Sequence, residues 1–254
     1  MKESTFYLLV YLWIVIALVS FPFILKFAAP YGRHASKRWG AMIDNRIGWI
    51  IMELPALIVF AGFYIFGTGA HLPVTWVFFG FWVFHYINRT LIFPFRLRTK
   101  GKKMPLAIVL MAIFFNLING SINGYFLGTI ATEARYPLSY FGDPRFIAGV
   151  VFFISGLAIN WNSDYILIHL RKPGESGYVI PQKGLFKYIS CPNHFGEIVE
   201  WSGFALMTWC SPAVAFAIWT MVNLLPRAMH HHKWYQTTFP EYPPERKAVI
   251  PFIL

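Results

Sequence analysis

Long apolar runs dominate the chain, and short polar stretches separate them. The runs cover residues 6–29, 47–66, 72–95, 105–130, 146–170 and 198–225. A helix needs roughly 20 apolar residues to cross the hydrocarbon core of a bilayer, and every run reaches that length. Taken as one helix, the last run is about 42 Å long at 1.5 Å per residue. The Ser211-Pro212 pair falls near its middle, where proline removes a helix hydrogen bond. Two shorter helices are therefore expected there. The pattern predicts an all-α, polytopic integral membrane protein of about seven transmembrane helices. The first run is too long for a signal-peptide core and is expected to be retained.

The polar stretches orient the spans. Arg33, Lys37, Arg38 and Arg46 follow the first run, and Arg96, Arg98, Lys100, Lys102 and Lys103 follow the third. The turn at residues 67–71 carries no Lys or Arg, residues 131–145 are nearly balanced, and residues 171–187 are basic again. Basic loops stay on the cytosolic side. The alternation predicts an external N-terminus and a cytosolic C-terminus, with Arg227 and everything after it inside. Asn88 and Asn119 each begin an Asn-x-Ser/Thr triplet but lie within predicted spans, so neither is expected to be glycosylated.

Composition agrees with this reading. Only 13% of the 254 residues are charged, about half of what a soluble domain carries. The net charge of +11 sits in the loops between spans, where the inside-positive bias explains it without nucleic acid. Two cysteines, Cys191 and Cys210, provide no disulfide framework. No repeat, low-complexity tract or linker is visible, so residues 1–254 read as a single membrane-embedded domain.

Ionisable groups inside spans are costly and mark functional candidates. Glu53 lies about two turns into the second span, and His85, Tyr86 and Arg89 lie in the third. Asn116, Asn119 and Asn123 share one face of the fourth and read as interhelical glue. Asn160, Asp164 and Arg171 approach the cytosolic end of the fifth. The C-terminal third adds Tyr178, Asn193, Glu197, Arg227, His230, His231, His232, Tyr235, Arg246 and Lys247. This set offers donors for phosphates, acceptors for ribose hydroxyls and aromatic faces for a flat ring.

A metal is not expected. Consecutive histidines on a helix point in different directions, and the chain has no HExxH spacing to join them with His169, His194 or Cys191. The one Gly-x-Gly, Gly67-Thr68-Gly69, has neither a third glycine nor a preceding strand, so a soluble dinucleotide fold is also unsupported. A nucleotide must be held by helix ends and cytosolic loops.

Four segments carry a resemblance. From Leu170 the chain reads LRKPGESGYVIPQKGLFKYISCPNHFGEIVEW, and from Arg227 it reads RAMHHHKWYQTTFPEYPPERKAVIPFIL. Upstream stand Trp49-Ile-Ile-Met-Glu53-Leu-Pro55 and His85-Tyr86-Ile-Asn-Arg89-Thr90. Together they resemble the steroid 5α-reductase family over most of the chain, weakly in the first span and strongly from about Gly156 onward.

The resemblance implies reduction of the C4–C5 double bond of a 3-oxo-Δ4-steroid, entering from the membrane, by hydride from NADPH. It implies that Glu53 and Tyr86 act at the 3-keto oxygen, where hydride addition to the enone develops charge that a donor stabilises. Asn160, Asp164, Arg171, Tyr178, Asn193, Glu197, Arg227, His231, Tyr235 and Arg246 match positions around NADPH, with Arg171 at a phosphate. Trp49, Met111, Phe115 and Trp201 are expected at the steroid. Met52 stands where the best-known animal enzymes carry Gln, and Met111 replaces a basic residue. Both changes touch the substrate end.

Rival readings are a membrane reductase of a polyprenol, sterol ring or enoyl-CoA, and an isoprenylcysteine-type methyltransferase. A polyprenol has no carbonyl for Glu53 and Tyr86, and adenosylmethionine has no phosphate for Arg171. A lipid-binding protein or transporter is the non-enzyme reading, and the chain lacks the inverted repeat that many transporters show. The membrane is expected to be endoplasmic reticulum in a eukaryote or the inner membrane in a bacterium.

Overall fold

The computed structural model describes residues 1–27, 39–98, 101–171 and 177–254. The basic residues Arg33, Lys37, Arg38 and Lys100, and Pro173 and Gly174 of the later loop, lie outside this set. The described chain is mostly helical. Four helices are long and apolar enough to cross a membrane: α1 (Glu3–Lys26), α2 (Asn45–Ile65), the run Leu106–Ile130, and α6 (Pro144–Ile168). Along α1, Phe6, Val10, Trp13 and Ala17 form one buried stripe, while Leu8, Leu12, Val15, Ile16 and Val19 stay exposed. A helix apolar all round yet buried on one side suits lipid on its other faces.

The third expected span is a broken helix. α3 (Pro73–Ile87) passes through a π-type turn at Asn88–Ile92 into the short α4 (Phe93–Arg96). α5 (Leu106–Tyr125) likewise ends in a π-type turn, Phe126–Ile130. The break expected at the Ser211-Pro212 pair is present: α7 (Pro192–Thr208) ends at Trp209, which is left-handed with φ 47°, and α8 begins at Ser211. Proline is tolerated at the start of a helix. α7 starts earlier than the apolar pattern implied, and α8 (Ser211–Thr238) runs on through Pro226 and the three histidines.

The chain forms two compact units. In the first, which holds α2, α3 and α5, β1 (Met42–Asp44) pairs antiparallel with β2 (Lys103–Pro105). These are the only two strands of a sheet among the described residues. The ribbon joins the two basic loops that the charge pattern had assigned to one side. Arg46 reinforces the join, its Nε donating to the Pro94 carbonyl at 3.1 Å. At the other end, the Gly67-Thr68-Gly69 turn packs on Gly128.

Between these ends α2 and α5 run parallel along a stripe of small residues. A Cβ on Gly120 would press on the Phe60 nitrogen at 3.2 Å, and one on Gly124 or Gly128 would meet the backbone of Phe60 or of Phe63 and Tyr64. Small residues four apart let membrane helices approach at backbone distance, where dispersion contacts are densest.

The second unit uses the same device with helices running antiparallel. Gly149 and Gly156 of α6 face Gly203 and Gly196 of α7, each glycine against the partner's backbone. Trp201 packs edge-on to Phe216 of α8 at 4.5 Å. The Trp219 indole donates to the Trp13 carbonyl at 3.0 Å.

Candidate functional site

In the first unit the site grows from the contact of α2 with α3. The Trp49 indole Nε1 donates to the Arg89 carbonyl at 3.1 Å, and the Trp82 indole donates to the Ala56 carbonyl at 3.0 Å. Seven residues separate the two contact points on each helix, so they fix an antiparallel register. Glu53 falls between Trp49 and Ala56, and Tyr86 falls between Trp82 and Arg89. Residues three and four apart share a helix face. Trp49 and Glu53 therefore lie on one face of α2, and Trp82 and Tyr86 on one face of α3, with Arg89 following in the π-type turn.

Aromatic and cationic contacts pack this level. Tyr86 is buried, 5.2 Å from the Trp82 ring and 5.0 Å from His85. The Arg89 guanidinium lies 4.8 Å over both Trp49 and Phe93. The π-type turn begins two residues after Tyr86, and such turns often occur at functional sites. Asn116 of α5 reaches the level from the far side of α2. Its amide nitrogen donates to the Met52 carbonyl at 2.6 Å and contacts Glu53 Oε2 at 3.4 Å.

Of the other asparagines of α5, Asn119 bonds within its own helix, to the Phe115 carbonyl, and Asn123 bonds both within it, to the Asn119 carbonyl, and across to the Pro212 carbonyl. Phe115 is half-buried on α5, and Met111 is 53% exposed. Met111 thus stands on an open face.

The remaining sequence-expected residues lie in the second unit. Asn160 is buried and donates to the Asn193 carbonyl at 3.0 Å, joining α6 to the start of α7. Asp164 is buried one turn further along α6. His194 and His231 rings lie 5.9 Å apart, bringing α7 to the histidine turn of α8. Arg227, one turn before His231, and Glu197 of α7 are half-buried. Arg171 donates to the Gly177 carbonyl at 2.7 Å in an exposed hydrogen bond. Exposed Tyr178 meets Trp234 edge-on at 4.9 Å, and buried Tyr235 stacks on Tyr242 at 5.1 Å. Trp201 is fully buried against Phe153, Phe204 and Phe216.

Arg246 is occupied within the protein. It is 3% exposed, donates to the Pro181 carbonyl at 2.9 Å and to Gln182 Oε1, and lies 5.3 Å over the Tyr242 ring. These bonds tie the C-terminal tail to the loop before α7.

Two features escaped the sequence reading. Ser190 Oγ sits 2.6 Å from both His232 Nδ1 and the Tyr242 hydroxyl, and donates to the Lys247 carbonyl at 3.2 Å. Burial, then the Lys247 charge, lowers the His232 pKa, and burial raises that of Tyr242. Serine carries no sequence signal for this hub. The second feature is Glu200, a carboxylate at 0% exposure in α7. An acidic residue in an apolar run was the available signal there.

Comparison with known proteins places these residues in context. The profile of the 3-oxo-5-alpha-steroid 4-dehydrogenase family matches residues 102–254. The chain is 40% identical over 253 residues to 3-oxo-5-alpha-steroid 4-dehydrogenase 1 of Bos taurus, covering 97% of this chain and 96% of that protein. It is 40% identical over 266 residues to steroid 5-alpha-reductase DET2 of Arabidopsis thaliana, covering 99% and 98%. It is 42% identical over 231 residues to 3-oxo-5-alpha-steroid 4-dehydrogenase 2 of Homo sapiens, covering 88% and 87%.

Proposed function

The chain belongs to the 3-oxo-5-alpha-steroid 4-dehydrogenase family, and we propose that it reduces the C4–C5 double bond of a 3-oxo-Δ4-steroid to the 5α-dihydrosteroid, using NADPH. Family membership makes it an oxidoreductase of the steroid 5α-reductase type. The observation that carries the substrate assignment is the register of α2 and α3, which sets Glu53 and Tyr86 level inside the first unit.

Bound NADPH supplies the hydride. Addition at C5 of the enone drives negative charge onto the 3-keto oxygen. A hydroxyl donor at that oxygen stabilises the charge more in the transition state than in the ground state, which is what accelerates the step. Tyr86 donates that hydrogen bond, and Glu53 shares or supplies a proton at the oxygen. The enol so formed takes a proton from water at C4 as the oxygen gives its own back, which restores the ketone and completes the two-hydrogen gain. Packing of Tyr86 among Trp82 and His85 excludes water, so the donor acts at low local dielectric.

The second unit fits a phosphate-bearing nucleotide. Arg171 is half-exposed beside Gly177, Arg227 and His231 sit one turn apart, and Tyr178 presents an aromatic face. Arg171 takes a phosphate, while Asn160, Asp164, Asn193, Glu197 and Tyr235 shape the same site. Arg246 contributes through the loop it anchors, its two terminal nitrogens holding Pro181 and Gln182. Trp49 and Phe115 line the steroid side of the first unit, and Met111 contacts the steroid only where its open face borders the substrate's path; Trp201 is assigned to the steroid by the resemblance alone.

We read the chain as one reductase domain with seven spans, an external N-terminus and a cytosolic C-terminus. The opposed directions of α2 and α3, and the ribbon joining two basic loops, support that topology.

The test is incubation of the detergent-purified protein with NADPH and a panel of 3-oxo-Δ4-steroids, with products identified by mass spectrometry. A two-hydrogen gain at C4–C5 with 5α configuration is expected. Folded, NADPH-binding protein that reduces no steroid would instead point to another lipid substrate.

A further inference from the structure

The glycine stripe of α5 has an unexpected first member. Gly120, Gly124 and Gly128 bring α5 against the backbone of α2, and Asn116 occupies the same stripe one turn earlier. Backbone-distance packing is what lets a side chain as short as asparagine reach across. The Asn116 amide nitrogen carries two hydrogens, and the structure gives it two acceptors on α2: the Met52 carbonyl at 2.6 Å and Glu53 Oε2 at 3.4 Å. The side chain is 4% exposed, so water does not compete for these bonds.

We propose that Asn116 is a positioning residue that orients the Glu53 carboxyl for the reaction. This rests on Glu53 acting at the substrate ketone, as proposed above. An amide N–H directed at Oε2 makes that oxygen an acceptor. When Glu53 is protonated, its proton is therefore held on Oε1. The companion bond to Met52 fixes the backbone of the adjacent residue, so the carboxylate is held at both its backbone and its tip. Pro55 makes this anchoring useful, because proline cannot donate to the Ile51 carbonyl one turn back and loosens α2 at this level. Asn119 and Asn123 do not share the role, since their amides bond to carbonyls of α5 and to Pro212.

The test is a double-mutant cycle between Asn116 and Glu53, read as steroid turnover at saturating NADPH. Groups that act as a unit give strongly non-additive losses. Asn116→Ala is expected to lower kcat by roughly tenfold, as loss of a buried hydrogen bond to a charged or reacting group does, with a smaller change in steroid KM. In a Glu53→Gln background the same substitution is expected to cost nothing further. Asn116→Leu fills the space without donors and is expected to give the same coupling, which separates lost orientation from a cavity. NADPH affinity and thermal midpoint of each variant report the fold.

Equal losses in both backgrounds, or normal turnover of Asn116→Leu, would overturn the inference while leaving Glu53 in place. Full turnover of Glu53→Gln alone would remove Glu53 from the reaction and Asn116 with it.

Discussion

Trp49 and Arg89 are joined twice: the indole Nε1 of Trp49 donates to the Arg89 carbonyl at 3.1 Å, and the Arg89 guanidinium lies 4.8 Å over the indole ring. The half-buried aromatic face partly desolvates the cation and strengthens the contact. This pair pins α2 to the end of α3 one turn from Glu53 and just short of one turn from Tyr86. The two residues assigned to the ketone are thus held level by contacts that do not themselves involve the ketone.

If Glu53 and Tyr86 stabilise the developing oxyanion, removing either donor should depress the chemical step and spare the cofactor. Tyr86→Phe and Glu53→Gln are each expected to lower kcat by roughly 10²–10³, the range for loss of one such donor. NADPH affinity, read by fluorescence titration, should stay within about twofold of the parent protein on the same reasoning, since only transition-state interactions are lost. Near-normal turnover in both variants would remove the pair from the mechanism.

Arg171 offers its guanidinium at an exposed hydrogen bond to Gly177, where a phosphate can add a bidentate contact. Arg171→Ala should raise the KM for NADPH by roughly tenfold or more, as loss of a charge-assisted bond does. The steroid KM should hardly move. An unchanged NADPH KM would defeat the phosphate assignment.

The glycines separate into those that carry packing and those that do not. A Cβ on Gly156 would fall on the Glu200 nitrogen and the Gly196 carbonyl, whereas one on Gly80 meets nothing within 4 Å. Gly156→Ala should therefore force α6 and α7 apart and abolish recovery of folded protein. Gly80→Ala, in the interior of α3, should be neutral or stabilising by about 0.5–1 kcal/mol. Thermal unfolding in detergent compares the two.

His232 gives the tail a pH dependence. Its pKa is lowered in the folded protein by burial and by the Lys247 charge, so folding favours the neutral ring bonded to Ser190. That contribution is fully present above the unfolded value near 6.5. It is lost as pH falls through the lower folded value. The thermal midpoint should fall on acidification from neutral pH into that window, and His232→Gln should flatten the fall. An identical pH profile in the variant would assign the dependence elsewhere.

The four helices long and apolar enough to cross a membrane were legible in the apolar runs, because bilayer thickness fixes the length of a span. Ser211-Pro212 announced the break between α7 and α8, and intramembrane cost singled out Glu53 and Tyr86. What could not be read was anything set by pairing between distant segments. The β1–β2 ribbon is too short to show alternation, and the Ser190 hub joins residues whose partners lie about 40 to 60 positions away. Arg246 illustrates the limit for the site. Its place near the nucleotide is implied by the resemblance, while the bonds of its two terminal nitrogens to Pro181 and Gln182 depend on a fold that no charge pattern announces. Asn116 read as glue because its distance from Glu53 depends on glycines that only packing reveals.

The most direct test of the central claim is to run the reaction with NADPH carrying deuterium at its transferable position and to locate the label in the product by NMR. Conjugate reduction governed by Glu53 and Tyr86 at the ketone predicts deuterium at C5 on the α face, with the 3-keto group intact. Deuterium at C3 beside a new hydroxyl, or product without label, would contradict it.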